Sequence, residues 1–253
     1  TPKSQEFGNV HTFAFIPRIG WHAALYEDLY ELGPVSEFDY AKLGYSCESF
    51  YTRSSAVAQD RREMNTLAFN AIRAAHNKRP IDWIFIYASG FEIRSELLRA
   101  IQDELGIPLV NMCLDDKQSW AGKIFDGQPT GQIAIAPHFD LSWTSARVAC
   151  EWYLCEGGLP IYMPEGFDQK YFRPLPVDRD IPVSFIGGAY GFRPSVIRSL
   201  RRANIPVEVF GPGWGTRSVW GEEQVEIINR RETLNPCQIC NVLILHIQII
   251  CNI

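Results

Sequence analysis

The sequence predicts an α/β protein built on mostly parallel sheets, and three observations carry this prediction. Short apolar segments alternate along the chain with segments of helical periodicity, which is the pattern of strands joined by crossover helices. The segment Trp83–Tyr87 is uninterrupted apolar sequence, as expected of a strand buried on both faces of a parallel sheet. Two more strand candidates, Val183–Ile186 and Val207–Phe210, run directly into glycine-rich turns, a sequence typical of nucleotide-binding α/β domains.

The first two thirds of the chain alternate between strand and helix candidates. The predicted strands are Thr12–Pro17, Val35–Tyr40, Trp83–Tyr87, Pro108–Cys113, Ile133–Ala136, Leu141–Thr144 and Leu159–Met163. The predicted helices are Ala23–Leu32, Arg61–His76, a segment from Glu92 or Ser95 to Leu105, and Ser145–Glu156. In the first helix Leu25, Leu29 and Leu32 recur at spacings of four and three, which places them on one face.

A linker rich in proline, with Pro174, Pro176 and Pro182, marks the expected domain boundary. We therefore expect one domain over residues 1–172 and a second over 173–253. The second domain contains the two glycine-flanked strands and predicted helices at Pro194–Ala203 and Glu222–Asn229. The tail 236–253 is almost uninterrupted apolar sequence, so it is either one buried strand or a segment foreign to the fold.

Composition excludes several function classes. The 253 residues carry a net charge of -5, so we expect no general attraction to nucleic acid. The apolar tail is shorter than the roughly 20 residues that span a bilayer, so no integral membrane segment is expected. Seven scattered cysteines indicate reduced thiols and a cytoplasmic location. Cys237 and Cys240 form a lone CxxC pair, which is a weak zinc signal.

The motifs between residues 161 and 215 resemble those of two-domain glycosyltransferases. Ile161–Pro174 reads IYMPEGFDQKYFRP, which resembles the crossing segment of family-4-like GT-B enzymes. The series that follows, VSFIGGAYGFR, a helix and VEVFGPGW, is similar to that of the CgeB-type spore-maturation glycosyltransferases. Upstream segments at 82–84, 110–116 and 140–145 fit landmarks of the same family. The likeness covers roughly Trp21 to Asn235.

The resemblance implies two Rossmann-like domains of the GT-B type, with the acceptor on the first domain and the donor on the second. It implies a hexosyltransferase that takes a sugar from a nucleotide-diphosphate sugar and gives it to a glycan, protein or small-molecule acceptor. No metal or other cofactor is implied. In the family an acidic donor-binding motif follows the position of Leu234-Asn235, where this chain has its apolar tail. We therefore expect the second domain to be incomplete, and a chain without activity is one expected outcome.

Candidate donor-binding residues lie in the two glycine-rich turns. In Gly187-Gly188-Ala189-Tyr190-Gly191, glycines let backbone amides approach phosphate oxygens, and the helix that follows points its positive end at them. Arg193 can bind a diphosphate with two parallel hydrogen bonds; the alternative is a tight turn followed by a solvated arginine. In the second turn, Gly213 and Trp214 either line the cleft, with the indole stacked on a base, or only pack the turn.

Candidate acceptor-side and interdomain residues come from the first domain and the crossing segment. His22 follows the first strand and is a candidate base, although a lone histidine is more often structural. Asp115 and Asp116 end a strand and either orient acceptor hydroxyls or form a helix cap. Glu165 and Asp168 lie in the crossing segment, where holding the crossover is the simpler role. Asp178-Arg179-Asp180 has DxD spacing, but we interpret it as a solvated charge cluster and expect no metal site.

Two alternatives to a transferase stay open at this point. A non-catalytic binding or assembly protein would keep the fold without the donor motif. A different Rossmann-like enzyme, such as an epimerase or dehydrogenase, is disfavoured because FIPRIGWH stands where a GxGxxG fingerprint would follow the first strand. The sequence also lacks a Tyr-x-x-x-Lys pair.

Overall fold

A computed structural model describes residues 7–18, 22–45, 55–125, 128–164, 166–167, 169 and 171–232. The chain divides into two compact units, residues 1–165 (unit 1) and 166–253 (unit 2), so the division lies a few residues before the predicted boundary. The tail 236–253 and its three cysteines lie outside the described residues. Within the described residues, no helix combines the length and the apolar character needed to cross a membrane.

Unit 1 is built on a parallel sheet, which confirms the predicted α/β class. In chain order its strands are β1 (Thr12–Phe15), β2 (Val35–Glu37), β3 (Trp83–Ile86), β4 (Leu109–Cys113), β5 (Ile124–Phe125), β6 (Gln128–Pro129), β7 (Leu141–Thr144) and β8 (Pro160–Tyr162). Six of them form a sheet in the order β2-β1-β3-β4-β7-β8, with every neighbouring pair parallel. The two short strands β5 and β6 form a separate antiparallel hairpin.

Helices cover both faces of this sheet, an arrangement compatible with a Rossmann-like fold. They are α1 (His22–Leu32), α2 (Ser55–Lys78), α3 (Ser95–Leu105), α4 (Asp116–Ser119) and α5 (Ala149–Cys155). Phe13 and Phe15 of β1 pack in one core cluster with residues of α2 and α3. Ala14 and Ile16, next to them in sequence, pack in a second cluster with residues of α1. Because successive side chains of a strand point to opposite faces, β1 contributes residues to the core on each side of the sheet.

The prediction of a strand at Ile133–Ala136 is wrong. The chain there makes two 3₁₀ turns, Gln132–Ala134 and Ala136–His138. Ile135 and Ala136 are both buried, as they would also be in a strand covered on both faces. Pro137 lies inside the second turn, which a ladder of backbone hydrogen bonds would exclude. The apolar run here belongs to a buried connection between secondary-structure elements. The sequence pattern of so short a run does not distinguish such a connection from a strand.

Unit 2 has the strand–turn–helix order that the sequence predicts. It consists of β9 (Val183–Ile186), α6 (Arg193–Arg202), β10 (Val207–Phe210) and α7 (Gly221–Asn229). The two strands pair in parallel, with Val183 opposite Val207 and Ile186 opposite Phe210. After α7 the chain returns to the start of β9, where Arg231 makes a parallel bridge with Ile181. The carboxyl ends of β9 and β10 thus lie side by side.

Candidate functional site

A cleft of about 550 Å³ opens beyond the carboxyl ends of β9 and β10, the place where open α/β sheets bind ligands. Both glycine-rich turns line it. The lining residues are Ile186, Gly187, Gly188, Ala189, Tyr190, Arg193, Phe210, Gly211, Pro212, Gly213, Ser218, Val219, Trp220 and Gln224. Five of the predicted donor-site residues therefore line one cleft, namely Gly187, Gly188, Tyr190, Arg193 and Gly213. Gly191, a sixth, lies next to Tyr190 in the same turn.

Backbone hydrogen bonds hold the two glycine turns against each other. The amide of Gly187 donates to the carbonyl of Phe210 at 2.8 Å, and the amide of Ala189 donates to the carbonyl of Pro212 at 2.9 Å. Gly211 has φ of 135°, and a Cβ there would lie 2.5 Å from the carbonyl oxygen of Gly187. Only glycine allows this backbone conformation and this close approach.

Some backbone donors of the first turn are left for a ligand. The amides of Gly188, Tyr190 and Gly191 make no hydrogen bond within the described part of the chain. The start of α6 offers less than the sequence predicts, because Pro194 has no N–H. The amides of the next two residues both donate to the carbonyl of Phe192, at 3.0 and 3.1 Å. An anion here would be bound by the glycine turn more than by the helix end.

Arg193 is a buried cation beside this turn. Its side chain is 7% exposed, and its Nη1 donates to the carbonyl of Gly188 at 3.2 Å. The guanidinium lies 3.8 Å from the ring centroid of Tyr190, whose side chain is exposed. Among the described residues, Arg193 has no ion-pair partner. Because a charge removed from water is costly unless it is paired, the site is electrostatically suited to an anion.

The two tryptophans near the cleft have different surroundings. Trp214 donates its indole N–H to the carbonyl of Gly187 at 2.7 Å and packs edge-on against Phe185. It does not line the cleft, so this geometry favours packing of the turn. Trp220 does line the cleft and is 67% exposed. Sequence reasoning missed Trp220; its place in the sequence, just before the predicted helix Glu222–Asn229, was the available signal.

In unit 1, His22 lies at the point where the strand order reverses. The chain leaves β1 for β2 on one side and continues to β3 on the other, and such a reversal creates a crevice at the carboxyl ends. His22 begins α1 and Tyr87 directly follows β3. Their ring centroids are 4.7 Å apart. His22 therefore occupies a position typical of ligand-binding residues.

Asp115 and Asp116 lie in different environments although they are neighbours. Asp115 is exposed at the start of α4, where its side chain makes no capping hydrogen bond. Asp116 is 0% exposed, and its carboxylate accepts hydrogen bonds from the hydroxyls of Thr144 and Tyr153. Burial raises the pKa of Asp116. This geometry favours a structural role for Asp116 and leaves Asp115 as the accessible carboxylate.

Two other groups of candidates remain. Glu165 and Asp168 lie outside the described residues. Asp180 of the DxD-spaced segment is bound by Arg230 through two hydrogen bonds of 2.7 and 2.6 Å. In the part of the chain that the structure describes, no group of three or more His, Cys, Asp or Glu side chains is arranged to hold a metal ion.

Comparison with known proteins assigns no family to this chain. No family model matches it, and no curated protein matches it. A function must therefore be argued from the two candidate sites themselves, which are the cleft at the carboxyl ends of β9 and β10 and the crevice near His22 in unit 1.

Proposed function

We propose that unit 2 binds a nucleoside diphosphate sugar and that the protein is a cytoplasmic, metal-independent glycosyltransferase of the GT-B type. One observation carries the proposal. The buried guanidinium of Arg193 has no ion-pair partner among the described residues, and it borders a cleft whose backbone amides include three that find no acceptor in that part of the chain. This is the donor set that a diphosphate requires.

These groups suit the chemistry of sugar transfer. Negative charge develops on the diphosphate as it leaves the sugar, and fixed donors stabilise that charge without reorganising. The ring of Tyr190 against the guanidinium holds Arg193 in one orientation and strengthens the field by excluding water from one side. The amides of Gly188, Tyr190 and Gly191 would supply the neutral donors.

The other roles in the proposal follow from position. Trp220 offers an exposed aromatic surface at the cleft, which suits stacking with a nucleobase. The acceptor would bind to unit 1, with His22 as the candidate base because an imidazole exchanges a proton near neutral pH. Cys113, Cys150 and Cys155 form no disulfide with one another in the described part of the chain, which suits the reducing compartment that we propose.

Replacing Arg193 with glutamine is the direct test of the donor site. We expect the dissociation constant for UDP or GDP, measured by isothermal titration calorimetry, to rise about 10- to 100-fold. This range corresponds to the loss of hydrogen bonds to a charged group, roughly 1.5–3 kcal/mol. Arg198→Gln is the matched control, since Arg198 is exposed on the same helix and does not line the cleft.

Two results would count against the proposal. One is equal weakening by the variant and by its control; the other is no nucleotide binding by a wild-type chain that circular dichroism shows to be folded. Nucleotide binding without release of diphosphate from any sugar donor would instead support the non-catalytic binding protein.

The two tryptophans provide a separate prediction about the base. Trp220→Ala is expected to weaken nucleotide binding by about tenfold, the value of one lost stacking contact of 1–3 kcal/mol, with little change in stability. Trp214→Phe keeps a ring but loses the hydrogen bond to Gly187, so it should lower the melting temperature more than Trp220→Ala does. Calorimetric titration and thermal unfolding of both variants check the pair, and a reversed pattern would contradict it.

A further inference from the structure

We propose that unit 1 contains a second ligand site, a cavity in which Arg61 binds a compact oxyanion such as a phosphate or carboxylate group. The cavity has a volume of about 650 Å³, within the usual range for small-molecule sites. All of its lining residues belong to unit 1. The inference is therefore independent of the nucleotide site proposed for unit 2.

Arg61 is a half-buried cation whose hydrogen bonding is incomplete. One terminal nitrogen, Nη2, donates to the carbonyl of Gly90 at 2.5 Å. The Nε atom is buried and has no acceptor within the described residues, and Arg61 forms no ion pair with any of them. Burial is the main cause that lowers its pKa. A buried donor without an acceptor costs about 1–3 kcal/mol. Because Nε is closed to solvent, an anion in the cavity would be bound by Nη1, which makes no hydrogen bond within the described residues.

The neighbouring carboxylates are already bound by other groups. Glu96 accepts two hydrogen bonds from Arg94, at 2.6 and 3.2 Å, and this contact lowers the pKa of Glu96 to about 2. Glu92 accepts hydrogen bonds from the amide and the hydroxyl of Ser89, at 2.9 and 2.8 Å. Both act on Arg61 only through space. Within the described segments, the positive charge of Arg61 is thus not neutralised by a direct partner.

The position of the cavity also fits a ligand site. It is lined by the connection that follows β3, including Gly90 and Ser95, and by residues 129–135 of the connection between β4 and β7. These connections leave the carboxyl ends of neighbouring parallel strands, where α/β sheets bind ligands. Arg62 and Glu156 also line the cavity, and because both are exposed, water and salt screen their charges; the half-buried Arg61 is screened less. The expected ligand is a small phosphorylated or carboxylated molecule.

Titration of the full chain with inorganic phosphate and with acetate at low ionic strength tests the site. In Arg61→Gln the dissociation constant for the preferred anion should rise at least about tenfold, the effect of one charged hydrogen bond. Arg73→Gln is the matched control, because Arg73 is exposed on the same helix α2 and lies outside the cavity. Carrying out all of these titrations on an Arg193→Gln background keeps phosphate binding in the cleft of unit 2 out of the measurement.

Ser95→Asp keeps the test decisive if Arg61→Gln does not fold. It adds a carboxylate to the cavity wall, so it should repel or replace the anion and weaken binding at least as much as Arg61→Gln. An acid in the first turn of α3 is favourable for the helix, so the fold should persist.

Stronger binding of phosphate than of acetate identifies a phosphorylated ligand, and the reverse identifies a carboxylate. No saturable binding of either anion to the wild-type chain, or equal weakening in Arg73→Gln, would overturn the proposal.

Discussion

Replacing Asp116 with alanine is expected to lower the free energy of unfolding by about 3 kcal/mol. The change removes the acceptor of two buried hydroxyls, those of Thr144 and Tyr153, and an unsatisfied buried polar group costs about 1–3 kcal/mol. Asp115→Ala is the control; because Asp115 is exposed, its cost should stay within about 0.5 kcal/mol. Urea unfolding of both variants measures the difference, and equal costs would contradict the structural role of Asp116.

The same carboxyl should make stability depend on pH in a defined direction. Burial raises the pKa of Asp116 in the folded state, so the folded protein binds this proton more readily than the unfolded chain. The stability from this group is therefore complete below the unfolded pKa and decreases as pH rises through the folded pKa. Asp116→Asn cannot ionise and should lose this part of the pH dependence. The stability of the wild type minus that of Asp116→Asn should fall with rising pH; a rise would refute the assignment.

Gly131→Ala is expected to have the largest effect on folding, at least about 3 kcal/mol. A Cβ at Gly131 would lie 2.1 Å from the carbonyl oxygen of Ser119 and 2.2 Å from that of Trp120. Both are backbone atoms, so no side-chain rotation relieves the contact, and overpacking alone typically costs about 1–3 kcal/mol or more.

Gly157→Ala is a suitable control for that prediction. Gly157 has φ of 81°, with nothing within 4 Å of an added Cβ, so its cost is limited to backbone strain of about 1–3 kcal/mol. Chemical unfolding, together with the yield of folded protein, compares the two. A Gly131→Ala variant no less stable than Gly157→Ala would show that the close approach of these backbones is not needed.

The strands of unit 2 could be predicted from sequence because their signals are local. Val183–Ile186 and Val207–Phe210 are apolar runs that begin after a proline and end at a glycine, and the structure has the same bounds. Helix α2 begins at Ser55, before the predicted Arg61. Its first turns lack the apolar periodicity on which the prediction depended, while their alanines favour a helix.

The candidate sites could be predicted only in part, because some of their contacts join residues that are far apart in the sequence. The turn with Arg193 is one continuous motif, so its residues could be recognised together. The burial of Arg61 depends on its contact with Gly90, 29 residues later, and on residues 129–135. Likewise, Asp116 is held by Thr144 and Tyr153. No local pattern encodes such pairings, because they arise only when distant segments are packed into one sheet.

The ladder between β9 and β10 extends past both strands, through the bonds from Gly187 to Phe210 and from Ala189 to Pro212. These main-chain bonds tie the two turns together, and moving one turn away from the other would break them. Much of their conformational entropy is lost when unit 2 folds and does not have to be lost again when a ligand enters. At the nucleotide site that we propose here, ligands would be selected by fit to a preset shape, and affinity would depend little on loop rearrangement.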